Sequence, residues 1–281
     1  MLALVFALAC TAKDGTPDDS VPAGARSLDN CQTQIDSNAP DFFSLLRCAE
    51  LEIDGSDAVI HTIDMPPHPS PYYEETEENW VEWDDMGHTR IQNPNRIAQQ
   101  DLTITIPLDP VSRGLNITSA LVDRQAGNSQ NEYREPGVAL DGTPLFAGIA
   151  APGDDIAEES MTFDMWEGHP QNTGIYHHHS ATPASLAVLV ALGLSDTTVP
   201  GEGEIEIYGI MCDGTVVLGC HEADGSPVSD GDLDAQGGHV HDIVGPDGSA
   251  WFTDRYHAHV CAGTYEEFTP EIQYYEGCVR G

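Results

Sequence analysis

The chain of 281 residues carries 47 acidic side chains against 10 basic ones, a formal net charge of −37. So acidic a surface repels nucleic-acid phosphates and anionic bilayers, which excludes nucleic acid as a partner and leaves a lipid anchor as the only expected membrane contact. Lys13 is the only lysine and no G-x-x-x-x-G-K-[ST], G-x-S-x-G or H-E-x-x-H pattern occurs, so Schiff-base chemistry and the common phosphate, serine-hydrolase and zincin motifs are absent.

The apolar run 1–9 followed by Cys10 reads as a lipoprotein leader, with Ala7-Leu8-Ala9-Cys10 as the lipobox and Cys10 as the lipidated residue. The run is short and has no basic segment, so the true start is expected upstream. Residues 11–30 are rich in Asp, Pro, Gly, Ser and Thr and read as a flexible acidic tether. A short helix is expected within 39–53. Runs 58–63, 102–106, 137–140, 204–210 and 215–218 read as strands, with Asp141-Gly142 and Asp213-Gly214 as tight turns between apolar runs. Residues 184–194 are alanine-rich and apolar and fit a buried helix or a strand equally. The expected fold is mainly β with one or two short helices. It divides into an N-terminal β-rich part over 31–130 and a duplicated unit over 131–281.

Cysteine usage agrees with export. Beyond Cys10 there are Cys31, Cys48, Cys212, Cys220, Cys261 and Cys278, an even set without C-x-x-C spacing. Proximity in sequence favours the local pairs Cys31–Cys48, Cys212–Cys220 and Cys261–Cys278.

The chain also repeats itself. GVALDGT at 137–143 matches GIMCDGT at 209–215. The first copy runs on to Gly168-His169 and Tyr176-His177-His178-His179, the second to Gly238-His239 and Tyr256-His257-Ala258-His259. The spacing from Asp to the first His is 28 residues in one copy (141 to 169) and 26 in the other (213 to 239). Three features in one order predict a duplicated β-hairpin and β-sheet unit packed about a pseudo-twofold axis.

On a strand, residues two apart share a face. His177 and His179 therefore stand side by side, as do His257 and His259, while His178 faces the other way. With His169 and His239 added, each copy offers three imidazoles, a ligand set suited to Zn or Cu. The ions form either two equivalent sites or one shared site on the axis. Asp141 and Asp213 are candidates to hold the outer ring nitrogens. Asp230, Asp232 and Asp234 resemble the start of a calcium loop, although Ala235 and His241 stand where an EF-hand needs Gly and Glu. His61, His68 and His88 are scattered. The Glu that follows H-x-H in cupins is missing after His179, His241 and His259.

These segments resemble the YHYH-domain family of exported proteins. The resemblance rests on GVALDGTPLFAG, EGHPQNTGIYHHH, YGIMCDGTVVLG, LDAQGGH, RYHAHV and YYEGCVRG, covering about 130–281. QNPNRIAQQDLTITIP is similar to the family's upstream region. The second Tyr of the motif is His178 in one copy and Ala258 in the other, which leaves His-x-His as the working element. The resemblance implies export and supplies no catalytic residues. The leading expectation is a lipid-anchored, extracytoplasmic protein binding Cu or Zn through duplicated histidines. A surface adhesion module with structural histidines, and a metal-dependent hydrolase or oxidase, fit the same sequence.

Overall fold

The structure is a computed structural model and describes residues 25–278 apart from 86, 88, 128, 229–232 and 262–266. Cys10, His88, Asp230 and Asp232 lie outside the described residues.

The first sheet has four strands in chain order: β1 (Gln34–Ile35), β2 (Glu50–Asp54), β3 (Asp57–Thr62) and β4 (Leu102–Pro107). β3 alternates as a half-buried strand should, with Ala58, Ile60 and Thr62 turned inward. The helix expected within 39–53 is instead a 3-10 turn, Asp41–Leu45, that buries Phe42, Phe43 and Leu45. The chain then leaves helical geometry at Cys48, where φ is 57°, and enters β2. Pairing of Leu51 with Ile60 explains why tertiary contact overrides the local helix signal.

The second sheet holds the duplication. Its strands are β5 (Gly137–Ala139), β6 (Pro144–Leu145), β7 (Gly168–Pro170), β8 (Tyr176–His178), β9 (Ile207–Ile210), β10 (Val216–Leu218), β11 (Gly238–Val244) and β12 (Ala250–His259). The spatial order is β11-β12-β10-β9-β5-β6-β8-β7. It reads identically from both ends once the two halves are exchanged. β5 pairs antiparallel with β9, each half closes its hairpin antiparallel, and β6–β8 and β10–β12 are both parallel. Val138 faces Ile210, its own counterpart in the repeat, so the pseudo-twofold passes between them.

The repeated glycines have a steric cause. A Cβ on Gly137 would sit 2.1 Å from the Ile210 carbonyl oxygen, and one on Gly209 2.2 Å from that of Val138. The two central strands approach too closely for any side chain.

Two helices complete the unit: α1 (Ile156–Glu159) between β6 and β7, and α2 (Pro183–Ala191) between β8 and β9. The ambiguous run after 183 is thus a helix. Thr182 caps it by accepting from the Ala184 N–H, and Pro183 takes the first turn. One hydrophobic core joins both sheets, with Ile60 and Ile106 from the first packed among Val138, Leu140, Ile210, Leu186 and Leu189.

All six described cysteines are paired, but only Cys31–Cys48 follows the local rule. The other two bridges are Cys212–Cys278 and Cys220–Cys261. β10 and β12 run parallel with Leu218 beside His259, so Cys220 and Cys261 emerge together at the same end. Cys212 leaves β9 at the opposite end, where the segment around Tyr275 folds back onto Asp213. Sheet topology, not sequence distance, chooses the partners.

Candidate metal centres

In the first half, cross-strand pairing sets His169 opposite His177, and His179 follows on the same face of the chain. The Nε2 atoms of His169 and His177 are 3.1 Å apart, and the rings of His177 and His179 are 4.7 Å apart between centroids. The outer nitrogens fix the tautomers, because a carbonyl can only accept. His177 Nδ1 donates to the Ile175 carbonyl at 3.1 Å and His179 Nδ1 to that of Ala147 at 2.6 Å. Thr162 donates its hydroxyl proton to the Glu159 carbonyl and so accepts from His169 Nδ1 at 2.6 Å. All three Nε2 atoms thus carry bare lone pairs aimed at one point. A fourth donor comes from α1: Glu159 Oε1 lies 3.3 Å from His169 Nε2.

The second half has the same donor set, except that no partner fixes the tautomer of His239, whose Nδ1 is buried and unpaired. His239 and His257 are register partners with Nε2 atoms 2.7 Å apart, and His259 Nε2 is 3.2 Å from His239 Nε2. His257 Nδ1 donates to the Arg255 carbonyl and His259 Nδ1 to that of Gly219. Glu222 spans the group, 3.0 Å from His257 and 3.2 Å from His239. All six histidines are buried, while each carboxylate lies at the rim, with 22% of the Glu159 side chain and 17% of Glu222 exposed.

The tyrosine that opens each motif positions the histidines from the other face. Tyr176 donates to Asp164, and Tyr256 to Asp234. Each ring crosses over the glycine of the Gly-His element. A Cβ on Gly168 would meet the Tyr176 ring at 2.5 Å, and one on Gly238 the Tyr256 hydroxyl at 1.8 Å. Gly-His and Tyr-His-x-His therefore form one interlocking unit.

Burial drives the imidazole equilibria. It holds His179 and His259 near a pKa of about 4 and His177 well below its ordinary value, with neighbouring histidines adding to the effect. Burial opposes ionisation of Glu222 and Glu159, but the neighbouring histidines outweigh it and lower both carboxyls. Each group combines three buried imidazoles with one carboxylate at its rim. Each could hold a metal ion, since the four donor atoms lie within 4.8 Å of one another. Five strand steps of about 4.8 Å separate β8 from β12, so the groups lie about 24 Å apart and are two sites rather than one on the axis.

The structure brings the six predicted histidines together in two groups of three, and adds Glu159, Glu222 and His68, which the sequence did not point to. The glutamates reach their sites by unequal routes, 10 residues before His169 in one half and 17 before His239 in the other. No repeated spacing could have found them. His68 joins His178 and Asp141 in a third buried group.

Two other expectations are corrected. Backbone carbonyls and Thr162 hold the outer ring nitrogens described above, where Asp141 and Asp213 were expected. Asp141 accepts from Thr143 in its turn, and Asp213 from Thr215 and the Tyr274 and Tyr275 N–H groups. Asp234 is taken up by Tyr256, Gln236 N–H and Gly238 N–H as a turn anchor, which leaves the calcium reading without its third carboxylate. Asp164 plays the same part four residues before Gly168, a repeated spacing that was legible in the sequence.

Residues 103–219 match the family model described as YHYH protein. No curated protein and no solved structure matches the chain significantly. No helix among the described residues is long and apolar enough to cross a membrane.

Proposed function

We propose that this YHYH-domain protein is an extracytoplasmic, lipid-anchored binder of Zn or Cu that takes one ion at each histidine group. One observation carries the reading. In each half the outer nitrogens of the strand pair His-x-His donate to carbonyls, so bare Nε2 lone pairs and a carboxylate face one another. Such an array repels itself unless a cation sits within it. Three imidazoles and one carboxylate match the donor preference and the coordination number of Zn, and nitrogen-rich sites also favour Cu(II).

The three disulfides support an oxidising compartment outside the cytoplasm, and Cys10 with its preceding apolar run supports the anchor. Catalysis at either ion is a second reading favoured by the partly exposed carboxylates. In that reading the three imidazoles of each group would hold the ion, the ion would supply Lewis acidity, and Glu159 or Glu222 at the rim would serve as the base.

Elemental analysis of protein purified without a histidine tag tests the metal. Replacing His177 and His179 together by Ala removes one equivalent, whereas His61→Ala removes none. Protein that retains no Zn or Cu after loading and gel filtration refutes the reading. Mass spectrometry of the native mature chain tests the anchor and should find acylated Cys10.

A further inference from the structure

A third group lies on the opposite face of β8. His178 points away from His177 and His179, as alternation along a strand requires, and meets His68 and Asp141. The loop that carries His68 is held there by Thr62 donating to the Gly142 carbonyl at 2.7 Å, and by Asp64 accepting from the Tyr176 N–H at 2.9 Å. His68 stacks on Trp166, with centroids 4.4 Å apart.

The proton count in this group does not close with protein atoms alone. His68 Nδ1 faces the Pro69 carbonyl and His178 Nδ1 that of Glu167, so both rings carry their proton on Nδ1. Asp141 Oδ1 accepts from Thr143. That leaves His68 Nε2, His178 Nε2 and Asp141 Oδ2, all three buried and without a hydrogen-bond partner. All three are acceptors. His68 Nε2 and Asp141 Oδ2 are 3.9 Å apart, too far for a hydrogen bond and near the ~4 Å that two donors about 2 Å from one ion can span. A water has two protons for three acceptors. A dication satisfies all of them.

We infer that His68, His178 and Asp141 form a third metal site, which takes a dication suited to two imidazoles and one carboxylate, of the Zn class. The three side chains are at most 5% exposed, so protein surrounds the ion and its role is to brace the Asp141 turn against β8 and the His68 loop. Asp64, also buried, has an unpartnered oxygen and lies within electrostatic reach of Asp141, as does Arg26.

Among the described residues, the second half has no such site. Its counterpart of His178 is Ala258, and the free oxygen of Asp141 corresponds to an Asp213 oxygen that accepts from the Tyr274 and Tyr275 N–H groups at 3.0 Å each.

The test is an anomalous-difference map of the full chain crystallised with zinc, together with metal content for the wild type and His68→Phe. His68 is chosen because it lies off the strand that carries the first histidine group, and Phe preserves the stack on Trp166. A peak at bonding distance from His68 Nε2, His178 Nε2 and Asp141 Oδ2, and the loss of one equivalent in His68→Phe, are expected. The wild-type map decides the matter even where the variant fails to fold. Density without anomalous signal at that point marks a water and overturns the inference, as does an unchanged metal count in a folded variant. The inference is independent of the two histidine groups: a peak here with neither of them loaded would sink the proposed function and leave the third site standing.

Discussion

On the proposed metal reading, the Cys220–Cys261 bridge ties retention of the second group's ion to the fold. Cys220 is two residues before Glu222, and Cys261 two after His259, so the bridge pins two donors of the second histidine group at the end of the parallel β10–β12 pair. Replacing both cysteines by Ser removes a cross-link that closes 41 residues. Chain entropy puts the resulting loss of stability at about 4 kcal/mol through the unfolded state. The native sheet keeps its own hydrogen bonds, among them His259 Nδ1 to the Gly219 carbonyl at 2.9 Å. The double variant should therefore still fold, with Glu222 and His259 less firmly held. Urea denaturation of the metal-free protein measures the first effect, and metal content after gel filtration measures the second. The variant should unfold at markedly lower urea and lose the ion of the second group, while the first group, which no disulfide flanks, keeps its own. A stability change under about 1 kcal/mol, or equal loss from both groups, would refute the argument.

Two further outcomes follow from the same geometry. In metal-free protein, burial holds His179 near a pKa of about 4 against about 6.5 unfolded, so the unfolded chain takes the proton first and stability falls as pH drops from 6.5 toward 4. Between pH 7 and pH 5 this costs roughly 2 kcal/mol; thermal or urea unfolding of His179→Gln beside the wild type at both pH values should show that contribution gone, and parallel pH profiles would contradict it. Gly238→Ala forces the Tyr256 hydroxyl off Asp234, because the new methyl falls 1.8 Å from it, and should cost about 1–3 kcal/mol by overpacking and weaken metal retention at the second group. Calorimetric titration with zinc checks the binding, and unchanged affinity would show that Tyr256 does not position His257.

Much of the site was legible because its code is local. A strand puts every second side chain on one face, so Tyr-His-x-His announces two imidazoles on one face and a tyrosine turned away from them, and the structure has both. That the Gly-His before it lies on a partner strand, with His169 and His239 paired with His177 and His257, was not legible. The glycines were legible as a repeat, but their cause was not: only packing reveals that Tyr176 and Tyr256 lie across Gly168 and Gly238.

The sequence by itself determined a mainly β chain, a duplication, and six histidines in two sets of three, since each of these rests on periodicity over a few residues. Tertiary structure alone decided that the sets are separate sites on opposite wings of one sheet, because the β5–β9 pairing at the axis keeps β8 and β12 apart. It also decided the carboxylates, the cysteine partners and the His68 contact. Glu159 arrives on a helix and Glu222 after a strand, Cys220 meets Cys261 through a parallel ladder, and His68 reaches His178 from the other end of a long connection. Chain segments far apart in sequence meet through sheet topology and shared core packing, and no local pattern records that.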